Sequence, residues 1–106
     1  MRGQSLSRAN RKLDTVVVAA RYAPHDGRLT QVRAFERRGA VWTDWLILDR
    51  TALLQRLEAG KRVVTGLPRD LPGDFRVLNQ VRRDGQAWLV AGGNAAGRDD
   101  LGLPLF

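Results

Sequence analysis

Cysteine is absent from this chain of 106 residues. Its absence excludes disulfides, thiolate chemistry and zinc–sulfur sites. Histidine occurs once, as His25, which excludes a multi-histidine metal site. No apolar run approaches the roughly 20 residues that a membrane helix needs. Met1 to Lys12 carries no apolar stretch of the kind a secretory signal has, so a cytoplasmic location is the expectation, with no membrane partner. No Gly-rich phosphate loop is present, because Gly92-Gly93 is not followed by Gly-Lys-Ser/Thr. No Gly-x-Ser-x-Gly elbow occurs, and a hydrolytic triad would have only His25, beside Pro24, to use. Asp26, Asp44, Asp49, Asp70, Asp74 and Asp84 are scattered over turns and strand ends rather than spaced for magnesium. These absences point away from an enzyme and from any cofactor.

What the chain has is positive charge. Lys+Arg is 18 against 11 Asp+Glu, a net +7 and a pI near 11.4. Only Lys12 and Lys61 are lysine. Arginine offers a planar fork that grips phosphate and stacks on bases; it is also the generic surface cation of a GC-rich genome. A pI this high points to nucleic acid before membrane. The length fits a single domain, and the 43% hydrophobic content is enough for a core.

Residues 1–13 form a basic arm with Arg2, Arg8, Arg11 and Lys12 and no acid. Residues 14–91 read as one β-rich domain. β-branched residues mark strands at 15–22 and 29–37, and Pro24 to Gly27 supplies turn chemistry between them. In the second strand Val32 and Ala34 look like the core face, opposite Arg33, Phe35 and Arg37. A third strand at 40–48 follows Arg38-Gly39. Strict alternation places Val41, Thr43, Trp45 and Ile47 on one face and Trp42, Asp44, Leu46 and Leu48 on the other. Asp49 or Thr51 caps a helix at 51–59 that Gly60 ends, with Leu53, Leu54 and Leu57 at core spacing. Strands at 61–66, 75–82 and 86–91 complete the pattern, with a loop at 67–74 and a hairpin turn at Arg83-Asp84-Gly85. Phe75, Val77 and Val81 are expected on one face, Arg76 and Arg82 on the other. Residues 92–98 are small and linker-like, and 99–106 form a C-terminal peptide.

The fold class is therefore mainly β with one helix, in the order β-β-β-α-β-β-β. Two architectures carry that order: a small OB-like barrel, or an open antiparallel α+β sheet.

Binding a single strand needs a cationic groove for the backbone and rings for base stacking. The candidates are Arg33, Phe35, Arg37, Arg38, Trp42, Arg62, Arg76, Arg82, Arg83 and Trp88. The alternative for Phe35, Trp42, Trp45 and Trp88 is burial in the core, expected for about half of them.

Residues 43–66, TDWLILDRTALLQRLEAGKRVVTG, resemble the middle of bacterial single-stranded DNA-binding proteins. Trp45 stands at that family's strand tryptophan, Leu53, Leu54 and Leu57 at its helix, Gly60-Lys61 at its turn, and Val63 to Gly66 at its next strand. The final residues Asp99, Asp100, Leu101, Leu103, Pro104, Leu105 and Phe106 are similar to that family's acidic tip. They also resemble a sliding-clamp-binding peptide, with Asp100 where Gln is usual. The resemblance implies an OB-fold that serves DNA replication or repair and a tail that docks into a sliding clamp or another replication protein. Residues 20–26 depart from the family's N-terminal motif, and 67–91 match poorly.

The expectation is a non-catalytic module that binds single-stranded nucleic acid and recruits a partner through its tip. Its competitors are a protein–protein adaptor or inhibitor of phage or mobile-element type, and a duplex-DNA or RNA binder. Edge strands leave room for a homodimer. The alternative for the tip is that it folds back on its own core.

Overall fold

The computed structural model describes residues 13–70, 74–84, 88–91 and 99–106, without the side chains of Asp84 and Trp88. The elements are β1 (Thr15–Tyr22), β2 (Leu29–Arg38), β3 (Val41–Trp42), β4 (Leu46–Asp49), α1 (Arg50–Glu58), β5 (Val63–Pro68), β6 (Phe75–Asp84) and β7 (Trp88–Ala91). The sheet runs β3-β2-β1-β5-β6-β7, with β4 also paired to β2. Among the described residues the chain is thus mainly β with one helix, and of the two architectures it takes the open sheet rather than the closed barrel. The sheet is mixed rather than antiparallel, because β1 and β5 run parallel, with Thr15 opposite Val63 and Val17 opposite Thr65. No helix among the described residues is long and apolar enough to cross a membrane.

β1 sits mid-sheet and both its faces are covered, so all of Thr15 to Ala20 is buried. One face holds Val17, Ala20, Leu29, Val32, Ala34, Leu48, Val63 and Val81, closed by Leu53 of α1. Val32 and Ala34 therefore point inward, as the alternation indicates. The other face holds Leu13, Val16, Val18, Trp42, Val64 and Phe75, with Phe35 packed against them. Leu13, assigned by sequence to the basic arm, is a core residue; residues 1–12 lie outside the described residues.

The helix begins where Asp49 Oδ1 accepts the Ala52 N–H at 2.8 Å. It ends before Gly60, whose φ of +79° only glycine adopts without strain. Gly66 in β5 meets a different demand. A Cβ there would lie 2.9 Å from Val16 Cγ1 and 3.0 Å from the Arg76 carbonyl oxygen. The loop expected at 67–74 starts later, since Leu67 and Pro68 pair with Arg76 and Phe75; residues 71–73 lie outside the described residues.

The main departures from strict alternation are bulges. In β1, Val17 faces Ala34 but Ala19 faces Arg33, so Val18 is an extra residue. The strand expected at 40–48 breaks into β3 and β4: Trp42 pairs with Arg37, whereas Leu46 pairs with Ala34. One residue too many lies between them, at 43–45. Thr43 bridges the start of the break, its N–H donating to the Glu36 carbonyl oxygen and its Oγ1 accepting the Glu36 N–H. In β6, Leu78 and Asn79 together oppose Thr65, whose Oγ1 bonds both the N–H and the carbonyl of Asn79. Each extra residue reverses the facing of the residues beyond it. Trp42 and Leu48 thus bury on opposite faces, not one, and so do Phe75 and Val81.

Residues 99–106 are docked on the domain. Asp100 pairs with β7 through Leu89 and Ala91, and the Pro104 carbonyl accepts the Ala20 N–H. The segment so links β7 to the part of β1 that extends past β5. Leu101 and Leu103 enter the core beside α1.

Candidate nucleic-acid interface

The bulges gather an exposed cluster on the sheet face opposite α1. The extra Val18 turns Arg21 to the face carrying Gln31 and Arg33, its partner strand's residues. The break at 43–45 turns Trp45 and Ile47 to that same face, with Ile47 directly opposite Arg33. The docked tail adds Phe106. The result is a stack in which cations and rings alternate. Arg21 Cζ lies 4.6 Å from the Phe106 ring centroid, Arg33 Cζ lies 5.0 Å from the same ring, and Arg33 Cζ lies 4.7 Å from the Trp45 ring. Arg21 Nε also donates to the Phe106 carbonyl oxygen at 2.9 Å.

Guanidinium–ring contacts of this kind are worth about 0.5–1 kcal/mol each when exposed. Their main consequence here is placement, because they hold Trp45 at the surface, 55% exposed, on the same face as the exposed Ile47. Arg33 Nε is buried, and no group among the described residues accepts its hydrogen bond.

The residues expected to contact nucleic acid are dispersed by the fold. Arg33 belongs to the stack. Trp42 is 6% exposed and meets Phe75 edge-on at 5.1 Å, and Phe35 meets Phe75 at the same distance. Those two rings are core, as the alternative for the aromatics has it; they are not stacking platforms. Trp88, the first residue of β7, pairs with Asp84 of β6, and its side chain lies outside the described residues. Arg37 is bridged to Asp14 at 3.3 Å and Arg83 to Glu58 at 3.5 Å, while Arg38 lies 3.9 Å from Glu36. Arg62 and Arg76 are exposed and Arg82 is half-buried.

Of the tail, Asp99, Leu101 and Leu103 are buried, which is the fold-back alternative rather than a free tip. Asp100 Oδ1 accepts the Gly102 N–H. Pro104 and Leu105 are exposed and Phe106 is half-buried. Residues 92–98, expected as linker, lie outside the described residues. Asp99 explains the docking. Its carboxylate accepts the Leu29 N–H at 2.6 Å, the Leu89 N–H at 2.8 Å, and Arg50 Nε and Nη2 at 3.1 and 3.2 Å. Burial alone would raise its pKa, but the hydrogen bonds and the Arg50 charge outweigh burial and hold the carboxyl below the usual aspartate range.

Sequence reasoning missed Arg21 and Trp45 as members of one site. The signal for Trp45 was present in Asp44, a poor strand residue wedged between two tryptophans. Nothing in TVVVAARY signals the bulge that turns Arg21.

The fold and the site together define a mixed, open-sheet β-domain that carries an arginine–aromatic stack on its exposed face. Among known proteins, no family model, no curated protein and no solved structure matches the chain.

Proposed function

We propose that this protein is a non-catalytic module that binds single-stranded nucleic acid, with Arg21, Arg33, Trp45 and Phe106 as the stacking platform. The observation that carries this reading is the alternating guanidinium–ring stack, with Trp45 exposed at its end. A base has a π-face for Trp45, and a guanidinium beside the ring serves both the base and the phosphate. The net charge of +7 supplies long-range attraction to a polyanion. Exposed Arg62 and Arg76 add cations for the strand.

The test is tryptophan fluorescence during titration with a short single-stranded oligonucleotide, at two salt concentrations, with duplex as control. Salt-sensitive quenching by the single strand that disappears in Trp45→Phe is the expected result. A response to duplex equal to that of the single strand would move the reading to a duplex binder. No response at low salt would sink nucleic-acid binding and leave the exposed Trp45 and Ile47 as a protein-docking surface of an adaptor.

A further inference from the structure

A second basic feature lies apart from the stack, where β1 begins, β2 ends and the last turn of α1 closes. Arg37, Arg38, Arg56 and Lys61 converge there on a cleft of about 320 Å³, together with Asp14 and Glu36. Four cations meet two carboxylates, an excess of two positive charges.

Both carboxylates are already committed. Asp14 Oδ1 pairs with Arg37 Nη2, and Asp14 Oδ2 accepts the Arg62 N–H at 2.8 Å. Glu36 Oε2 pairs with Arg56 Nε. These bonds fix the guanidiniums of Arg37 and Arg56, whose side chains are only 29% and 25% exposed. Arg56 is held further by its Nη1 donating to the Ala52 carbonyl oxygen. At the rim the situation is reversed. Arg38 is 71% exposed, and its ion pair among the described residues is the long 3.9 Å contact to Glu36. Lys61 is exposed and forms no ion pair among the described residues. The cleft therefore combines two preset forks with two cations able to swing onto an arriving anion.

We infer that this cleft binds a phosphate dianion, carried as the terminal phosphate of a bound strand. The inference rests on the nucleic-acid reading above. A phosphodiester carries one charge, whereas a phosphomonoester carries about two at neutral pH, which matches the excess in the cleft. The exposed fork of Arg38 suits phosphate oxygens, because a guanidinium can give two parallel N–H···O bonds, and the held guanidiniums of Arg37 and Arg56 supply fixed positive charge beside it. The position also fits. Arg33 and Arg37 lie on one face of β2, four residues apart, so Arg37, which lines the cleft, is about 13 Å along the strand from Arg33, while Glu36 and Arg56 line the cleft from the α1 side. A strand stacked on Trp45 would reach the cleft by passing round the end of β2, from the face that carries the stack to the α1 side.

The experiment measures binding of one internally labelled oligonucleotide with hydroxyl ends, a 5′-phosphate or a 3′-phosphate. It compares the native chain with the Arg38→Gln/Lys61→Gln double variant, two exposed positions whose change leaves the core intact. In the native chain, one terminal phosphate should tighten binding roughly tenfold. The double variant should lose that gain while its affinity for the hydroxyl-ended strand falls by less than about threefold. Equal affinities for all three strands in the native chain would overturn the strand-end assignment and leave the stack reading intact. Failure of every strand to bind would overturn both. Inorganic phosphate is titrated alone, with the Lys61 and Arg62 amide signals as readout. If it moves those signals while terminal phosphates add nothing, the strand-end assignment falls and the cleft serves a free phosphate.

Discussion

Arg33, on β2, and Trp45, in the break between β3 and β4, lie against each other although they are twelve residues apart in sequence, the guanidinium carbon 4.7 Å from the ring centroid. Neither residue pairs with the other in the sheet; Ile47 is the residue opposite Arg33. The contact exists because the break at 43–45 turns Trp45 back over its neighbour. The break thereby converts a residue that could have been core into a surface ring beside a cation.

Trp45 and Trp42 should separate in function. Trp45→Ala should weaken binding of a single strand by about 1–3 kcal/mol, the usual contribution of one stacked base. Because Trp45 is 55% exposed, the denaturation midpoint should move little. Trp42→Ala should do the reverse, costing about 3–5 kcal/mol of stability through the cavity it leaves beside Phe75. Fluorescence anisotropy and urea unfolding on both variants check the contrast.

Arg62 and Arg76 offer a test of the electrostatic part. Each phosphate neutralised on a single strand contributes a slope of about −0.7 to the dependence of log K on log salt. Replacing either arginine with Gln should flatten the measured slope by about that amount and weaken binding to all sequences alike. An unchanged slope would remove that arginine from the interface.

The Asp99–Arg50 pair should control tail docking. Asp99→Asn removes the charge that faces Arg50 and should cost about 3–5 kcal/mol, as expected for a buried pair broken on one side. The pH dependence follows from the direction of the Asp99 shift. Its folded-state pKa lies below the unfolded value, so its contribution is complete above the usual aspartate pKa and is lost as pH falls through the lowered folded value. Stability should therefore hold through mildly acidic pH with respect to this group and decline only below the normal aspartate range. Urea midpoints measured from neutral pH to strong acid, in the native chain and Asp99→Asn, read this directly.

Gly66→Ala should destabilise the sheet, because its Cβ would press on Val16 and on the Arg76 carbonyl, both fixed in the packed interior. A cost of about 1–3 kcal/mol is expected in chemical denaturation. A companion change, Gly66→Ala with Val16→Ala, should recover part of it if the Val16 contact is the cause.

Much of the fold was legible in local chemistry. The β-branched run at 15–22, Asp49 before the helix, Gly60 after it and Val32 with Ala34 each name their role within a few residues. Those features depend on propensity, capping and turn conformation, which act over one or two turns of chain. The sequence also determined the charge and the richness in arginine, on which the proposed binding of a polyanion rests. The tertiary structure alone decided which side chains meet. A strand's side chains alternate, so one extra residue at Val18, at 43–45 or at Leu78 reverses every facing beyond it. Whether an extra residue is accommodated depends on the partner strand and the packing on both faces, not on the segment itself. The same holds for the last residues. Their composition suits a free apolar tip, but Asp99 finds Arg50 and two backbone N–H groups that only the assembled sheet brings together. That one buried carboxylate draws Leu101 and Leu103 into the core and leaves Phe106 between Arg21 and Arg33.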